Sequence, residues 1–335
     1  MLLKKLVFIT VFLALYAVSF HSYGQGQNLE WFKCENGKYG FKDRKSQRIE
    51  IPCQFDYIWG RFYEGLMRVK LNGKWGFIDD TGKTVIPFKY DFVEFFAEGL
   101  AAVRLNNKLM FIDKNDNVVI PPVKKDGPKY LPYEAATIFS EGLAPVFLKG
   151  KWGAIDKNGN EVIPLWYQYL CYFSEGLIRT QINGKWGFLD TIGKIAVPFR
   201  YEDANTFKEG LAAVQLNGKW GFIDKTGKTV IPLRYDSTDT FYEGLAWVKL
   251  NEKYGFIDKT GKTVIPLKYD SVLRFYDGLA EVKLNGKYGA IDKNGEVVIP
   301  IIYRDLVELR KRIDITVELL KLFEVKKEKS GEVFE

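Results

Sequence analysis

Short runs of β-branched and aromatic residues alternate with Gly- and Asn-containing punctuation along most of this chain, the pattern of strands joined by tight turns, and no helical period interrupts it. The pattern is also periodic. Its clearest copy is Asn217-Gly218-Lys219-Trp220-Gly221-Phe222-Ile223-Asp224-Lys225-Thr226-Gly227-Lys228. The aromatic-Gly anchor recurs at Tyr39, Trp75, Trp152, Trp186, Trp220, Tyr254 and Tyr288, with Leu109-Met110 as a decayed copy. Successive anchors are 36, 34, 43, 34, 34, 34 and 34 residues apart, which defines an internal repeat with two local insertions.

Asn-Gly pairs such as Asn72-Gly73 favour a two-residue turn in which both central residues take positive φ, and that turn sets a register. It places Leu71 opposite Lys74, Lys70 opposite Trp75, Val69 opposite Gly76, Arg68 opposite Phe77 and Met67 opposite Ile78. Strand alternation then puts Met67, Val69, Gly76 and Ile78 on one face, expected to be core. Arg68, Lys70, Trp75 and Phe77 share the other, expected to be amphipathic. The Gly after each anchor lets a neighbouring ring or strand lie close over the backbone.

Three further positions recur. An Asp four residues beyond the anchor (Asp43, Asp79, Asp113, Asp156, Asp190, Asp224, Asp258, Asp292) precedes a turn, Gly-containing as in Asp224-Lys225-Thr226-Gly227, where a carboxylate can accept backbone N–H groups. A Pro closes each Thr-Val-Ile-Pro run, so that third strand should end there or lie at an edge. A Phe two residues before each Glu-Gly or Asp-Gly (Phe62, Phe96, Phe139, Phe173, Phe207, Phe241, Phe275) is expected to pack between neighbouring units, because one small sheet cannot bury both of its faces alone.

The fold expected is all-β: a tandem array of eight antiparallel units of about 34 residues, stacked as a solenoid-like or curved array with a C-terminal helical cap. A closed β-propeller is the alternative if the Tyr-Asp-to-Phe link supplies a fourth strand. The array spans residues 25–304, with an insertion near 124–133 replacing the usual link, a place where a loop on a rigid scaffold can carry function or simply drift. From Ile301 to Phe323 apolar residues at spacings of three and four predict an amphipathic helix, so residues 305–335 form a helical cap and charged tail.

Composition sets the address and removes chemistry. Lys4-Lys5, an apolar run from Leu6 to Val18 and small residues at Ser22 and Gly24 predict a secretory signal over residues 1–24. The run is too short to span a bilayer comfortably and no Cys follows it, so an exported product of the periplasm or extracellular space, with no membrane span after cleavage, is expected. The signal carries two Lys, no acid and the one histidine, His21, leaving a mature formal charge of +5. A mature chain without histidine has no Ser-His-Asp or Cys-His site and no His-liganded metal, and its mild, dispersed charge gives no footprint for nucleic acid. Cys34 and Cys53 form a candidate disulfide, with three reduced thiols as the alternative.

These motifs resemble the WG-repeat, or KWG-repeat, family, whose hallmark is Asn-Gly-Lys-Trp-Gly-Phe-Ile-Asp followed by Gly-Lys-x-Val-Ile-Pro-x-x-Tyr-Asp. The likeness covers residues 30 to 304; Tyr replaces Trp at 39, 254 and 288, and Ala154 and Ala290 replace Phe. The resemblance implies a β-rich repeat domain, often exported, with no enzymatic activity and no agreed ligand.

The candidate ligand-binding residues are Trp75, Trp152, Trp186, Trp220, Tyr254 and Tyr288: as an exposed ladder they would stack on sugar rings, and as interior groups they would pack between units. Asp79, Asp156, Asp190, Asp224, Asp258 and Asp292, with Phe96, Phe173, Phe207, Phe241 and Phe275, are assigned structural roles. The Lys before each anchor offers a row of cations to a polyanion or, more simply, a solvated turn. Single carboxylates beside Lys make poor calcium sites, and an acid pair copied in every unit is unlike an active site, so no catalytic residue, metal or cofactor is expected. The function expected is a non-enzymatic scaffold for protein–protein interaction at the cell envelope. Binding of cell-wall glycan through the aromatic ladder is the alternative, and the partner is an unknown protein or that glycan.

Overall fold

The computed structural model describes residues 29–122 and 133–310, with 312, 313 and 316. The signal segment, His21, most of the 124–133 insertion and the tail lie outside the described residues. Contacts divide the chain into two compact parts, Met1–Pro122 and Val123–Glu335.

Among the described residues, all the regular structure before Asp305 is antiparallel β: a three-stranded sheet over residues 29–55 and two four-stranded sheets in the first part, then five four-stranded sheets in the second. The sheet made of Tyr57–Ile58, Met67–Leu71, Lys74–Ile78 and Thr84–Tyr90 is representative, its strands paired in chain order. The sequence predicts three strands per unit. The short fourth, here Tyr57–Ile58, comes from the Tyr-Asp-to-Phe link, which pairs back through Tyr57↔Lys70 and Ile58↔Val69. The strand count is therefore the one that the propeller alternative required.

The hairpin forms in the predicted register, from Met67↔Ile78 to Leu71↔Lys74, about Asn72 at φ 50° and Gly73 at φ 78°. A second two-residue turn precedes it. Glu64 and Gly65 also have positive φ, and Tyr63 and Leu66 exchange both backbone hydrogen bonds at 2.9 Å. Alternating residues decide which side chains share a face, and nearby turn chemistry fixes the phase.

The proline does not end its strand. Residues Thr84–Tyr90 run through it with Trp75 opposite Tyr90 and Phe77 opposite Ile86, so two steps on one strand face four on the other. Pro87 sits in that bulge on the sheet's last strand, where the missing N–H costs nothing. The bulge folds over the anchor glycine. A Cβ on Gly221 would lie 2.5 Å from Ile231 O, and the equivalent distances are 2.5 Å for Gly255 and 2.7 Å for Gly187. At the decayed anchor Met110 replaces this Gly; the last strand of that sheet is described over Val118–Ile120, and residues 123–132 lie outside the described residues.

Both faces of the sheets are core, which corrects the expectation of one amphipathic face. Met67, Val69 and Ile78 pack on Phe41, Ile51 and Phe55 of the preceding sheet. On the opposite face Phe77, Ile86 and Tyr90 pack on Val93, Phe96, Ala101 and Val103 of the next. The same interlock recurs in the second part. Phe96, Phe207, Phe241 and Phe275 each meet a ring of the preceding sheet (Phe77, Phe188, Phe222, Phe256) at 4.8 Å between centroids. An aromatic pair of this kind contributes about 0.5–1.5 kcal/mol beyond its buried area. Phe173 is buried too.

Ile301 to Tyr303 complete the last strand, Val297–Tyr303, instead of opening the predicted helix. The helix begins at Leu306, where the Asp305 carboxylate accepts the Val307 N–H at 2.9 Å as an N-cap. Leu309 is fully buried against Ala290 and Ile299, so this amphipathic segment packs on the last sheet.

Candidate interaction surface

The recurring polar residues act between sheets. Asp56 of the first Phe-Asp link accepts the Gly73 N–H at 2.9 Å and pairs with Lys38, tying the hairpin turn of one sheet to that of the next. Asp91, Asp236 and Asp270 repeat the clamp with Lys74, Lys219 and Lys253 at 2.5, 2.7 and 2.8 Å. The lysine hydrogen bond is the main reason each of these four carboxyls is held below the usual carboxylate range. Among the described residues, Lys38, Lys74, Lys219 and Lys253 of the lysine row are thus engaged with carboxylates.

A second row runs through the Glu-Gly turns. The carboxylates of Glu141, Glu175, Glu209 and Glu243 accept the Gly N–H of the next sheet's turn, Gly176, Gly210, Gly244 and Gly278, at 2.8–3.1 Å. Lys225, Lys259 and Lys293 sit on Glu175, Glu209 and Glu243 at 3.5, 3.1 and 2.9 Å. A glutamate in the left-handed region is unfavourable by roughly 1–2 kcal/mol, and in these turns its carboxylate holds the Gly N–H of the next sheet.

Asp79, Asp156, Asp190, Asp224, Asp258 and Asp292 each accept two backbone N–H groups, two and four residues on, through one carboxylate oxygen at 2.8–3.1 Å. The Thr81, Thr226 and Thr260 hydroxyls add a further bond and are the first cause of the lowered pKa of Asp79, Asp224 and Asp258. Among the described residues no three His, Cys, Asp or Glu gather as a metal-holding group.

The anchors lie at the start of each sheet's third strand. Trp75 and Trp152 are 8% and 4% exposed; Trp186, Trp220, Tyr254 and Tyr288 are half-buried. Their remaining surface is partly taken by neighbours. Lys70 lies over Trp75 at 5.9 Å, Lys249 over Tyr254 at 5.6 Å, Lys283 over Tyr288 at 4.9 Å, and Arg179 over Trp186 at 4.6 Å. Cys34 and Cys53 are joined by a disulfide, with Cα atoms 6.2 Å apart. Cys171 is buried, and that burial pushes its thiol pKa up.

Where the repeats differ, cations and rings collect on the links. In the first part Arg68, 3% exposed, donates to Trp59 O and Val93 O, pairs with Glu94 at 3.2 Å and stacks on Phe95 at 3.5 Å. Burial raises the Glu94 pKa and lowers that of Arg68. In the second part Arg274 donates to the Tyr242 hydroxyl at 2.6 Å and lies 4.3 Å over its ring. Neither group places a nucleophile beside a base. Sequence reasoning placed Arg68 on a face expected to be amphipathic and did not single out Glu94, Tyr242 or Arg274; Arg179 and Arg61 hold the places of Arg68 and Arg274 in other units, and the signal for the Glu row was present in the fixed 35-residue spacing from each Glu to the Gly it binds.

The WG containing repeat model matches residues 39–75, 75–108, 133–152, 152–186, 186–220, 220–254, 254–288 and 288–307. The chain belongs to the WG-repeat family. No curated protein sequence matches this WG-repeat chain. Among solved structures, a eukaryotic initiation factor is similar at 9% identity and TM-score 0.55, covering 83% of this WG-repeat chain and 85% of its own. BamB from Moraxella catarrhalis is similar at 14% identity and TM-score 0.43, with 72% and 86% covered, and AztD from Citrobacter koseri at 11% and 0.37, with 79% and 91% covered. The likeness to the initiation factor is one of fold. No helix among the described residues of the WG-repeat chain is long and apolar enough to cross a membrane.

Proposed function

We propose that this WG-repeat chain is a non-enzymatic, exported scaffold that presents an extended surface for protein–protein interaction at the cell envelope. One observation carries the reading: the residues that recur are used between and within the sheets, as buried Phe, half-buried anchors and carboxylate ties, so the side chains free to differ lie on the strand-linking segments and the exposed last strands. A rigid frame with variable surface positions suits recognition of macromolecules. The signal-like first 24 residues and the Cys34–Cys53 disulfide support export. The glycan alternative needs free ring faces, and those of Trp75, Tyr254, Tyr288 and Trp186 carry cations.

Cross-linking of intact cells expressing the full chain, followed by fractionation and mass spectrometry, tests the reading. The expected result is a small, reproducible set of envelope proteins linked to surface positions. Acrylamide quenching of the Trp emission during titration with peptidoglycan fragments is the companion measurement. Strong protection by one glycan, with no protein cross-link, would replace the scaffold by a carbohydrate-binding array.

A further inference from the structure

Four hairpins of the chain close on Asn-Gly within nearly the same local sequence: Leu71-Asn72-Gly73-Lys74, Ile182-Asn183-Gly184-Lys185, Leu216-Asn217-Gly218-Lys219 and Leu284-Asn285-Gly286-Lys287. Their backbones are alike too. The Asn φ is 50°, 49°, 52° and 51°, and the Gly φ is 78°, 74°, 71° and 77°. All four Asn are exposed. The repeat thus presents one dipeptide in one conformation, set among different neighbours.

That dipeptide is chemically labile. The Gly nitrogen, unhindered by a side chain, gives up its proton and attacks the Asn Cγ; the new C–N bond closes a cyclic imide as ammonia leaves, and water then opens the ring at either carbonyl to leave a carboxylate. One water is consumed, one ammonia is released, and no oxidant or reductant takes part. The turn must first release the Gly N–H from its hydrogen bond, and negative charge then develops on the nitrogen. What holds that N–H differs among the copies. Gly73 donates to Asp56 at 2.9 Å, Gly218 to Glu202 at 2.9 Å and Gly286 to Asp270 at 3.3 Å, all carboxylates. Gly184 donates to the amide oxygen of Gln168 at 3.3 Å. A hydrogen bond to an ionised acceptor is roughly twice as strong as one to a neutral acceptor, and a carboxylate beside the turn opposes the developing charge. Asp270 is as distant as Gln168, so charge rather than length separates these copies. The other Asn-Gly pairs are restrained differently. The Asn36 side chain accepts the Lys38 N–H at 3.0 Å and donates to Cys53 O at 3.3 Å, while Gly159 and Gly295 donate to Asp156 O and Asp292 O at 2.9 and 3.0 Å within their own turns.

We propose that Asn183 is a site of spontaneous covalent modification, deamidating ahead of the other Asn-Gly pairs of the folded chain because its hairpin turn closes on a neutral side chain. The proposal is independent of the scaffold reading. Its product adds a negative charge to the turn. When the ring opens to the branched aspartate, a methylene also enters the backbone of the two-residue turn that sets the register of Leu177–Ile182 on Lys185–Asp190, so the modified hairpin is weakened where its register is fixed.

The test incubates the full chain in mildly alkaline buffer and follows each Asn-Gly by peptide mapping and mass spectrometry, with chromatographic separation of the normal and branched aspartates. Asn183 is expected to convert about fivefold or more faster than Asn72, Asn217 or Asn285. Gln168→Glu, which gives this link the residue that Glu202 supplies to the next, should slow Asn183 to the rate of the other three. Glu202→Gln should raise Asn217 to the rate of Asn183 and leave Asn72 unchanged. Circular dichroism and thermal melting establish that both variants fold. In urea the four near-identical segments should converge on one rate, because their acceptors are gone. Equal rates in the folded protein, no slowing of Asn183 by Gln168→Glu, or a lead of Asn183 that persists in urea would each overturn the proposal. The comparison of folded and urea-treated wild type needs no variant, so it decides the matter even where a substitution disturbs folding.

Discussion

Gly221→Ala adds one methyl group and tests how the sheets close. Its Cβ would sit 2.5 Å from Ile231 O, 2.7 Å from Leu233 N and 2.8 Å from Leu233 Cα, all backbone atoms of the bulged last strand, whereas ordinary contact begins near 3.4 Å. The bulge would have to withdraw by about 0.9 Å, and no side-chain rotation relieves it. Overpacking of this kind costs about 1–3 kcal/mol, and the backbone partners place this case at the upper end. Strand Thr229–Tyr235 is at the sheet's edge, so the strain should appear first as local opening there. Hydrogen exchange is the direct assay: amides of residues 229–235 are expected to exchange faster in the variant, while the hairpin Ala212–Ile223 keeps its protection. Unchanged protection of 229–235 together with unchanged denaturant stability would refute the reasoning.

Arg68→Ala is expected to destabilise by about 3–5 kcal/mol, because it strands the buried Glu94 carboxylate, and Arg68→Met with Glu94→Leu should recover much of that loss in urea melts. Acid should loosen the sheet-to-sheet clamps. The carboxyls of Asp56, Asp91, Asp236 and Asp270 are lowered in the folded state, so their stabilisation is complete above the ordinary carboxylate pKa of about 3.9 and is lost as pH falls through the lower folded values; melting temperature against pH should drop below about 4. A flat profile through that window would count against the clamps. Reduction of Cys34–Cys53, which closes a 19-residue separation, is expected to lower stability by about 3 kcal/mol, read as the difference between melts with and without dithiothreitol.

The sequence by itself determined the elements whose causes are local. Asn72-Gly73 specified a turn, the turn specified the register from Met67↔Ile78 to Leu71↔Lys74, and the 34-residue spacing from Trp152 onward specified that each unit is one sheet. The packing of Phe96, Phe207, Phe241 and Phe275 between sheets also followed, because a large ring at a fixed place in every unit has no partner within its own sheet. Tertiary structure decided what alternation cannot express. Whether the face bearing Arg68 and Phe77 is wet or dry depends on the sheet laid over it, and the next sheet covers it. Whether Trp75 is a ligand ladder or core depends on the same neighbour. The ties from Glu175 to Gly210 and from Lys219 to Asp236 join groups of neighbouring sheets, so no single sheet contains both ends. Local pattern fixes the phase of each strand. Only assembled sheets fix which of its side chains meet water.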